Sequence, residues 1–285
     1  MKHTENIAFL GPQGSYSHIA SEQYANTRQL NNIGEYSCQN FSDIIKLVTT
    51  KQAKYGILPI ENSTSGAIHE VYNLLQNTIL FLIGEIHIPI IHCILTIPNA
   101  SFKEIKKIYS HPEPFQQCNE FFKNFPKLDF IFCKSSADAM EKVSKLKNPS
   151  FAALGNENSG KYLYGLQVIK KNIANKKNNT TRFIILGNKK ITINKNTPAK
   201  TTLILSTDHP SNISIEEISH ILNQYNIKIH HIKPQSIKNN TNEQKIFIDM
   251  QANLYQQYVQ EAVKKLRNIT HSLKILGCYP ISIQE

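Results

Sequence analysis

Several turns in the sequence place hydroxyl, amide or acidic side chains directly after a short apolar run. The first is Gly11-Pro12-Gln13-Gly14-Ser15, which follows Ile7 to Leu10. A glycine turn that leads into a helix offers unpaired N–H groups and the helix dipole to an anion, which makes Ser15 a candidate substrate-binding residue. The turn lacks the Gly-Lys-Ser/Thr ending of a phosphate-binding loop and matches the dinucleotide fingerprint only loosely. An ordinary tight turn is therefore the simpler interpretation.

The second turn combines a carboxylate with amide and hydroxyl groups. Glu61 follows the apolar run Ile57 to Ile60, and burial at that position would raise its pKa toward use as a proton donor. A surface carboxylate near a helix N-terminus is the alternative interpretation. The same turn supplies one further candidate catalytic residue, Asn62, and three candidate substrate-binding residues, Ser63, Ser65 and Gly66.

The third turn again puts hydroxyl and amide groups at the start of a predicted helix. It runs from Ser110-His111-Pro112 to Gln117, and its two prolines suit a first helical turn. Ser110 and Gln117 are candidate substrate-binding residues, and a plain helix cap is the alternative for the serine.

A fourth polar segment, Asn179-Thr180-Thr181-Arg182-Phe183, ends a loop and enters a predicted strand. It places the hydroxyl of Thr181 and the guanidinium of Arg182 side by side. A surface ion pair explains the arginine equally well, so this spacing alone is not specific.

Neither the histidines nor the cysteines have the spacing of a metal site. His87 and His92 are five residues apart on a presumed strand, so their side chains face opposite sides, and the adjacent His230 and His231 do the same. The five cysteines are an odd number and contain no C-x-x-C pair, which argues against zinc and against a disulfide framework. We expect no metal and reduced thiols.

The elements that position these turns alternate in type. Short apolar strands precede each turn and helical periodicity follows it, which predicts an α/β fold with ligand groups at the carboxyl ends of the strands. The chain changes character around Ile79 to Ile97, where long β-branched runs indicate a crossing into a second lobe at about 80–165, and Phe183 to Leu186 resumes a strand. The prediction is a two-lobed body over residues 1–190 with a ligand-binding cleft.

From residue 198 the pattern changes to strand, helix, strand, strand, helix, strand. This βαββαβ order is ferredoxin-like and predicts a separate module over 198–285. An exposed face or edge of its sheet would favour pairing with a second copy, which predicts a dimer or tetramer.

The net charge of +11 is spread over scattered lysine pairs, with no basic stripe interleaved with aromatic residues. This distribution favours a solvated lysine-rich surface and argues against a nucleic-acid partner. No run of eighteen apolar residues suggests a membrane span, and the N-terminus lacks the apolar region of a secretory signal. The expected location is the cytoplasm.

Taken together, the quoted segments resemble the prephenate dehydratases over nearly the whole chain. Besides the glycine turn and the Asn179 to Phe183 segment, the likeness includes Tyr55-Gly56-Ile57-Leu58-Pro59-Ile60-Glu61-Asn62-Ser63, Ser110-His111-Pro112, Ala152-Ala153-Leu154 and Tyr164-Gly165-Leu166. The C-terminal module resembles the ACT regulatory domain of the same enzymes and ends in the similar Leu276-Gly277-Cys278-Tyr279-Pro280. The likeness is greatest to the dehydratase part of bacterial bifunctional chorismate mutase–prephenate dehydratases. No helical mutase precedes residue 7 here, which leaves a monofunctional enzyme and a fragment both open.

The resemblance implies a periplasmic-binding-protein-like catalytic body that loses water and carbon dioxide from prephenate to give phenylpyruvate, without metal or organic cofactor. It implies that Thr181 is the most important catalytic hydroxyl, assisted by Glu61 and Asn62. It also implies that the substrate is bound at positions that include Ser110, Gln117, Arg182 and Phe183.

The module departs from the family where phenylalanine binds. Asn212-Ile213-Ser214 replaces a Gly-Ala-Leu motif, and Lys233-Pro234-Gln235-Ser236 replaces Glu-Ser-Arg-Pro. A side chain in place of glycine hinders a ligand from approaching the backbone closely. A lysine cannot bind the ammonium group of an amino-acid ligand. We therefore expect a weakened response to phenylalanine.

Two other functions fit the sequence. Arogenate dehydratase acts on a substrate that carries an amine in place of the keto group, and sequence alone does not separate the two enzymes. A non-catalytic two-lobed amino-acid sensor is the alternative from another class, but it would not need Thr181, Arg182, Glu61 and Asn62 together.

Overall fold

The computed structural model describes residues 5–207, 214–236 and 244–281. The chain divides into two compact units: the first comprises Met1–Ile44, Ile57–Ile68 and Ile86–Phe183, and the second comprises Ile45–Gly56, His69–Glu85 and Ile184–Glu285. The C-terminal module therefore belongs to the same compact unit as two segments from the first 85 residues. The predicted boundary between 190 and 198 stays a prediction.

The elements of the first part of the chain alternate between strands and helices. In chain order they are β1 (Glu5–Leu10), α1 (Tyr16–Thr27), β2 (Ile33–Cys38), α2 (Phe41–Thr49), β3 (Tyr55–Asn62), β4 (Gly66–Ala67), α3 (His69–Asn77), β5 (Phe81–Pro89), β6 (Cys93–Thr96), β7 (Lys107–Ser110), α4 (Pro112–Gln117), α5 (Asn119–Phe122), β8 (Asp129–Phe132), α6 (Ser136–Leu146), β9 (Phe151–Gly155), α7 (Glu157–Tyr162), β10 (Gln167–Lys170) and β11 (Thr180–Gly187).

The C-terminal module follows as β12 (Ala199–Thr207), α8 (Ile215–Gln224), β13 (Lys228–Ser236), β14 (Gln244–Gln251), α9 (Gln257–Ile269) and β15 (Ser272–Pro280). The predicted βαββαβ order is confirmed. Its strands form an antiparallel sheet in the order β13-β14-β12-β15, the ferredoxin-like arrangement.

Two further sheets make up the rest of the fold. One has the order β2-β1-β3-β11-β5 with β4 paired to β3, and the other has the order β10-β6-β9-β7-β8. Strand β5 belongs to the first of these sheets and β6 to the second, so the chain changes sheet within residues 79–97; the second lobe at about 80–165 stays a prediction. The α/β class with two sheets and a C-terminal module is confirmed. Strands β2 and β10 were not predicted, since neither has a sustained apolar run.

The five-stranded sheet shows why strand β6 has consecutive apolar residues. On β6, Leu95 packs on one face with Tyr109 and Met140, while the neighbouring Ile94 packs on the other face with Phe122. A strand covered on both faces buries successive side chains in two different cores. The carboxyl ends of β7 and β9 then lead into helices α4 and α7.

One face of the C-terminal sheet carries α8 and α9, whose apolar residues pack with Ile246 and Ile248. Phe247 lies between these two residues on β14, so its side chain points to the other face. There its ring meets the edge of Tyr72 on α3, with ring centroids 4.9 Å apart. A second contact joins His69 Nδ1 and Gln235 Oε1 at 3.1 Å.

A lysine from the same sheet binds the end of α3. Lys274 Nζ donates to the backbone oxygens of Leu75, Gln76 and Thr78. The last carbonyls of a helix lack intrahelical donors, and a cation there is stabilising. This face of the sheet is thus occupied by the chain's own α3.

The second unit also contains a buried ion pair. Lys200 on β12 and Glu85 on β5 are joined at 2.5 Å, with side chains only 7% and 6% exposed. Tyr279 donates a hydrogen bond of 3.1 Å to the other oxygen of Glu85. Gly277 allows β15 to approach β5 closely, because a Cβ at that position would lie 1.9 Å from the Leu82 carbonyl oxygen.

No helix in the described ranges is long and apolar enough to cross a membrane.

Replacing Lys200 with methionine should destabilise the fold by about 3–5 kcal/mol, because it leaves the Glu85 carboxylate buried without its cation. Urea unfolding monitored by circular dichroism measures the change. The double variant Lys200→Met with Glu85→Gln should recover most of the loss, since the glutamine still accepts from Tyr279. As a control, Lys145→Met breaks an exposed pair with Glu141 and should cost about 1 kcal/mol or less. Equal losses for Lys200→Met and Lys145→Met would contradict the assignment.

Candidate active site

Asn62 is the centre of a buried polar cluster at the end of β3. Its Nδ2 donates to Thr181 Oγ1 at 2.9 Å and to Asn179 Oδ1 at 2.7 Å. Its Oδ1 accepts from the backbone N–H groups of Thr64 and Ser65, each at 2.9 Å. The asparagine therefore uses one end of its amide to hold the turn and the other to hold Thr181.

The turn has this shape because β3 continues into a hairpin. Asn62 pairs with Gly66 and Glu61 pairs with Ala67 in the β3–β4 register. Gly66 has a φ of 86°, a left-handed conformation that glycine adopts without steric cost. An asparagine that accepts from the N–H groups two and three residues later is a common stabiliser of such turns. The local sequence thus positions the Asn62 carboxamide through contacts within its own turn.

Thr181 lies at the start of β11 and is only 7% exposed. The segment before it is tied to the hairpin, since Ser63 N donates to Thr180 O and Thr180 N donates to Ser63 Oγ, both at 2.9 Å. Thr181 Oγ1 accepts from Asn62, and among the described residues it has no acceptor for its own proton.

The cluster extends from Asn179 to a glutamine and a histidine. Asn179 Nδ2 donates to Gln117 Oε1 at 3.1 Å, and His92 Nε2 lies 2.7 Å from the same oxygen. Gln117 ends α4, whose first turn contains Pro112 and Pro114. Burial lowers the pKa of His92, and the hydrogen bond with Gln117 opposes that shift.

A cavity of about 290 Å³ lies beside the cluster in the first unit. Its lining is mostly amides and hydroxyls, with one carboxylate and one ammonium group. The residues are Thr64, Ser65, Glu113, Gln116, Gln117, Ala174, Asn175, Lys176 and Asn179. Its size suits a small organic molecule, at the lower end of the usual range of roughly 300–1,000 Å³.

Four predicted site residues come together here: Asn62, Thr181, Gln117 and Ser65. Ser63 joins them through its bonds to Thr180, and Gly66 shapes the hairpin.

Glu61 is half-buried and precedes Asn62 on β3. Successive strand residues point to opposite faces, so its side chain leaves the strand on the other side from Asn62. Its role as a proton donor stays a prediction.

The expected side-by-side placement of Thr181 and Arg182 does not occur, because both residues lie within strand β11 and strand side chains alternate. Arg182 is buried, at 4% exposure, on the face opposite the hydroxyl, and Phe183 is buried in the same strand. Neither residue lines the cavity described above. Their roles in substrate binding stay predictions.

Two predicted substrate-binding serines make local bonds instead. Ser15 caps α1 by accepting from His18 N and donates to Leu10 O. Ser110 is fully buried and donates to His111 O at 2.8 Å. In the glycine turn, the N–H of Gly14 donates to His18 Nδ1 at 3.2 Å. These bonds favour the simpler interpretation of the first turn as a tight turn. In the third turn the helix cap is His111, whose side chain accepts from Glu113 N, and not Ser110.

Several residues of the site were not selected from the sequence, among them His92, Asn179, Glu113 and Lys176. Asn179 had a signal, because it stands two positions before Thr181 and therefore on the same side of an extended segment. His92 had none, because its partner Gln117 is 25 residues away. Among the described residues no group of three or more His, Cys, Asp or Glu is arranged to hold a metal.

All five cysteines are buried free thiols. Burial raises the pKa of Cys118 to about 12, and the neighbouring Cys93 adds to this shift. A buried thiol with a raised pKa is a poor nucleophile.

These observations define an α/β protein with an amide- and hydroxyl-lined small-molecule site and a C-terminal ferredoxin-like module. The family model described as prephenate dehydratase matches residues 7–191. A bifunctional chorismate mutase/prephenate dehydratase of Enterobacter agglomerans is 44% identical over 98% of this chain and 71% of its own length. That of Buchnera aphidicola subsp. Schizaphis graminum is 45% identical, over 96% of this chain and 71% of its own length.

A solved structure shares the fold over nearly the whole chain. It is the prephenate dehydratase of Arthrobacter aurescens in complex with L-Phe, with a TM-score of 0.84 and 23% identity, covering 98% of this chain and 91% of that one. The chain belongs to the prephenate dehydratase family.

Proposed function

We propose that the chain catalyses the decarboxylative dehydration of prephenate to phenylpyruvate, a carbon–oxygen lyase reaction, at the cluster of Asn62 and Thr181. One proton joins the departing ring hydroxyl to form water. The bond to the ring carboxylate breaks to release carbon dioxide, and its electron pair completes the aromatic ring. The observation that carries the proposal is the buried Thr181 hydroxyl, which accepts from Asn62 and retains an uncommitted proton.

The proton delivered to the leaving hydroxyl passes through Thr181 or comes from Glu61. A threonine hydroxyl is too weak an acid to act alone, so Thr181 orients the leaving group or relays a proton to it. The Asn62 bond supports this role because it occupies one lone pair of Oγ1 and turns the O–H away from the asparagine. Donation of this kind contributes about 10²–10⁴-fold to a rate.

Neutral donors suit the carboxylate that leaves. An ion pair to that group would stabilise the ground state more than the charge-dispersed transition state. The amides of Gln116, Gln117 and Asn175 line the cavity and supply hydrogen bonds without a full charge. Lys176 is the cavity's ammonium group and is suited to the side-chain carboxylate, which stays on the product.

Replacing Thr181 with valine should lower kcat by at least a hundredfold, because the isosteric side chain has no proton to give and leaves the Asn62 donor unpaired. Thr181→Ser should retain most of the activity. Conversion of prephenate, followed by phenylpyruvate absorbance, measures both. Near-wild-type turnover by Thr181→Val would rule out the assignment.

Glu61→Gln separates the two proton routes in the same assay. If Glu61 is the donor, the glutamine variant loses kcat as severely as Thr181→Val and loses the limb of the pH–rate profile that reports the acid. If the proton passes through Thr181 without Glu61, the variant keeps the wild-type profile.

Arogenate is a second candidate substrate, and one observation favours it. The carboxylate of Glu113 lines the cavity, and its Oε1 lies 3.4 Å from Gln117 Nε2. A carboxylate in this position would attract the ammonium group of arogenate, which prephenate lacks.

Glu113→Gln should therefore raise the preference for prephenate over arogenate, expressed as the ratio of kcat/KM values, by roughly fivefold, the effect of an exposed ion pair of about 1 kcal/mol. Glu120→Gln is the matched control, because Glu120 lies outside the cavity lining and pairs with Lys123 on the surface. An unchanged ratio in Glu113→Gln would remove this residue from substrate discrimination.

The protein is a homo-oligomer, at least a dimer, that pairs through the edge strands of the C-terminal sheet.

Phenylalanine is a weak effector. Support comes from the described part of the altered motifs: Lys233 Nζ lies over the Tyr72 ring, Gln235 bonds His69, and Ser214 caps α8. Asn212 and Ile213 lie outside the described residues, as does the side chain of Ser236.

Calorimetric titration with phenylalanine should accordingly give a dissociation constant above the micromolar range and little inhibition of turnover. Losing one charge-assisted hydrogen bond to the ligand ammonium costs roughly ten- to a hundredfold in affinity. Micromolar binding with matching inhibition would contradict the prediction.

A further inference from the structure

His92 is a buried ionisable side chain that touches the cluster. It lies between β5 and β6 and is 1% exposed. Its Nε2 is 2.7 Å from Gln117 Oε1, and its Nδ1 is buried without a hydrogen-bond partner in the described part of the chain. The edge of Tyr16 packs against the ring, with centroids 6.5 Å apart. The imidazole thus contacts the site through a single nitrogen.

The direction of every hydrogen bond in the cluster follows from two backbone groups. The N–H groups of Thr64 and Ser65 can only donate, so the atom of Asn62 that faces them must be Oδ1. The Asn62 Nδ2 must then donate to Asn179 Oδ1 and to Thr181.

The same reasoning continues to the histidine. With its oxygen committed to Asn62, Asn179 can only donate to Gln117, so the atom it meets is Oε1. That oxygen cannot donate to His92, and the Nε2 of His92 must therefore carry the hydrogen. The lowered pKa of the buried ring agrees with a neutral imidazole.

We propose that His92 is a positioning residue that acts through Gln117, as the neutral tautomer protonated at Nε2. Two donors on Oε1, from His92 and Asn179, hold the Gln117 carboxamide in one orientation. One Nε2 hydrogen of Gln117 points to Glu113 Oε1 at 3.4 Å, and the other remains available to the cavity that this residue lines. Without the imidazole donor, rotation of the carboxamide by half a turn is opposed by the bond from Asn179 and by the longer one to Glu113. The kinetic consequence rests on the proposed function, whereas the tautomer does not.

The tautomer is measured directly by long-range ¹H–¹⁵N correlation spectra of the full chain with ¹⁵N-labelled histidine, assigned by comparison with His92→Gln. We expect a neutral ring protonated at Nε2 at pH 7. A ring protonated at Nδ1, or a charged imidazolium, would overturn the proposal, whether or not the protein turns over prephenate.

Kinetics test the action through Gln117. His92→Leu should lower kcat about tenfold, the effect of one hydrogen bond of roughly 1.4 kcal/mol. His92→Gln keeps a donor and should recover activity to within about threefold of wild type. In a Gln117→Ala background, His92→Leu should have no further effect, because coupled residues are not additive. Independent, multiplicative losses would show a structural role only and overturn the proposal.

His87→Leu is the matched control, since His87 is a half-buried histidine on the adjacent strand β5 and should leave kcat unchanged. Circular dichroism and thermal melting check that each variant is folded. If His92→Leu does not fold, the kinetics of His92→Gln and the spectra of the wild-type protein still test the proposal. A wild-type protein with the expected tautomer but no activity on prephenate would refute the proposed function and leave the assignment of His92 intact.

Discussion

The geometry of the site depends on one carboxamide whose direction is set by the backbone. Asn62 accepts from two backbone N–H groups of its own turn, and those groups cannot reverse. Its nitrogen must therefore face Thr181 and Asn179, and the threonine proton must face away. A network fixed in this way needs no reorganisation when charge develops, which is the condition under which neutral donors contribute most to a rate. The backbone of the turn after Asn62 thus sets the direction of the Thr181 hydroxyl.

The C-terminal module is built into the fold of the second unit. Its sheet carries its own helices on one face and contacts α3 on the other, through Phe247, Gln235 and Lys274. The Lys200–Glu85 pair adds a buried charge contact to β5. Helix α3 begins at His69, one residue beyond the short strand β4 that closes the Asn62 turn. The module therefore contacts a helix that directly follows the Asn62 turn in the chain.

Much of the fold was predictable because local patterns and tertiary structure agree. Helix α8 (Ile215–Gln224) is one of the two helices of the predicted βαββαβ order, since its Ser214 cap and its apolar stripe lie in one continuous segment of sequence. The change of sheet between β5 and β6 was visible as a break in pattern. The predictions failed where a side chain's direction matters: Arg182 next to Thr181 in sequence is on the opposite face in the strand. A linear motif does not state on which side of a strand each of its members lies.

By itself the sequence determined the α/β class, the βαββαβ module, the family resemblance, and the turn that holds Asn62, because each of these rests on short-range spacing or on local backbone conformation. Only the tertiary structure decided that Asn179, Gln117 and His92 join that turn, that Ser15 and Ser110 make local bonds, and that the C-terminal sheet face is covered by α3. The physical reason is that hydrogen bonds between side chains 25 to 119 residues apart depend on strand order and on which face each residue presents. Neither property is encoded in the spacing of the residues along the chain.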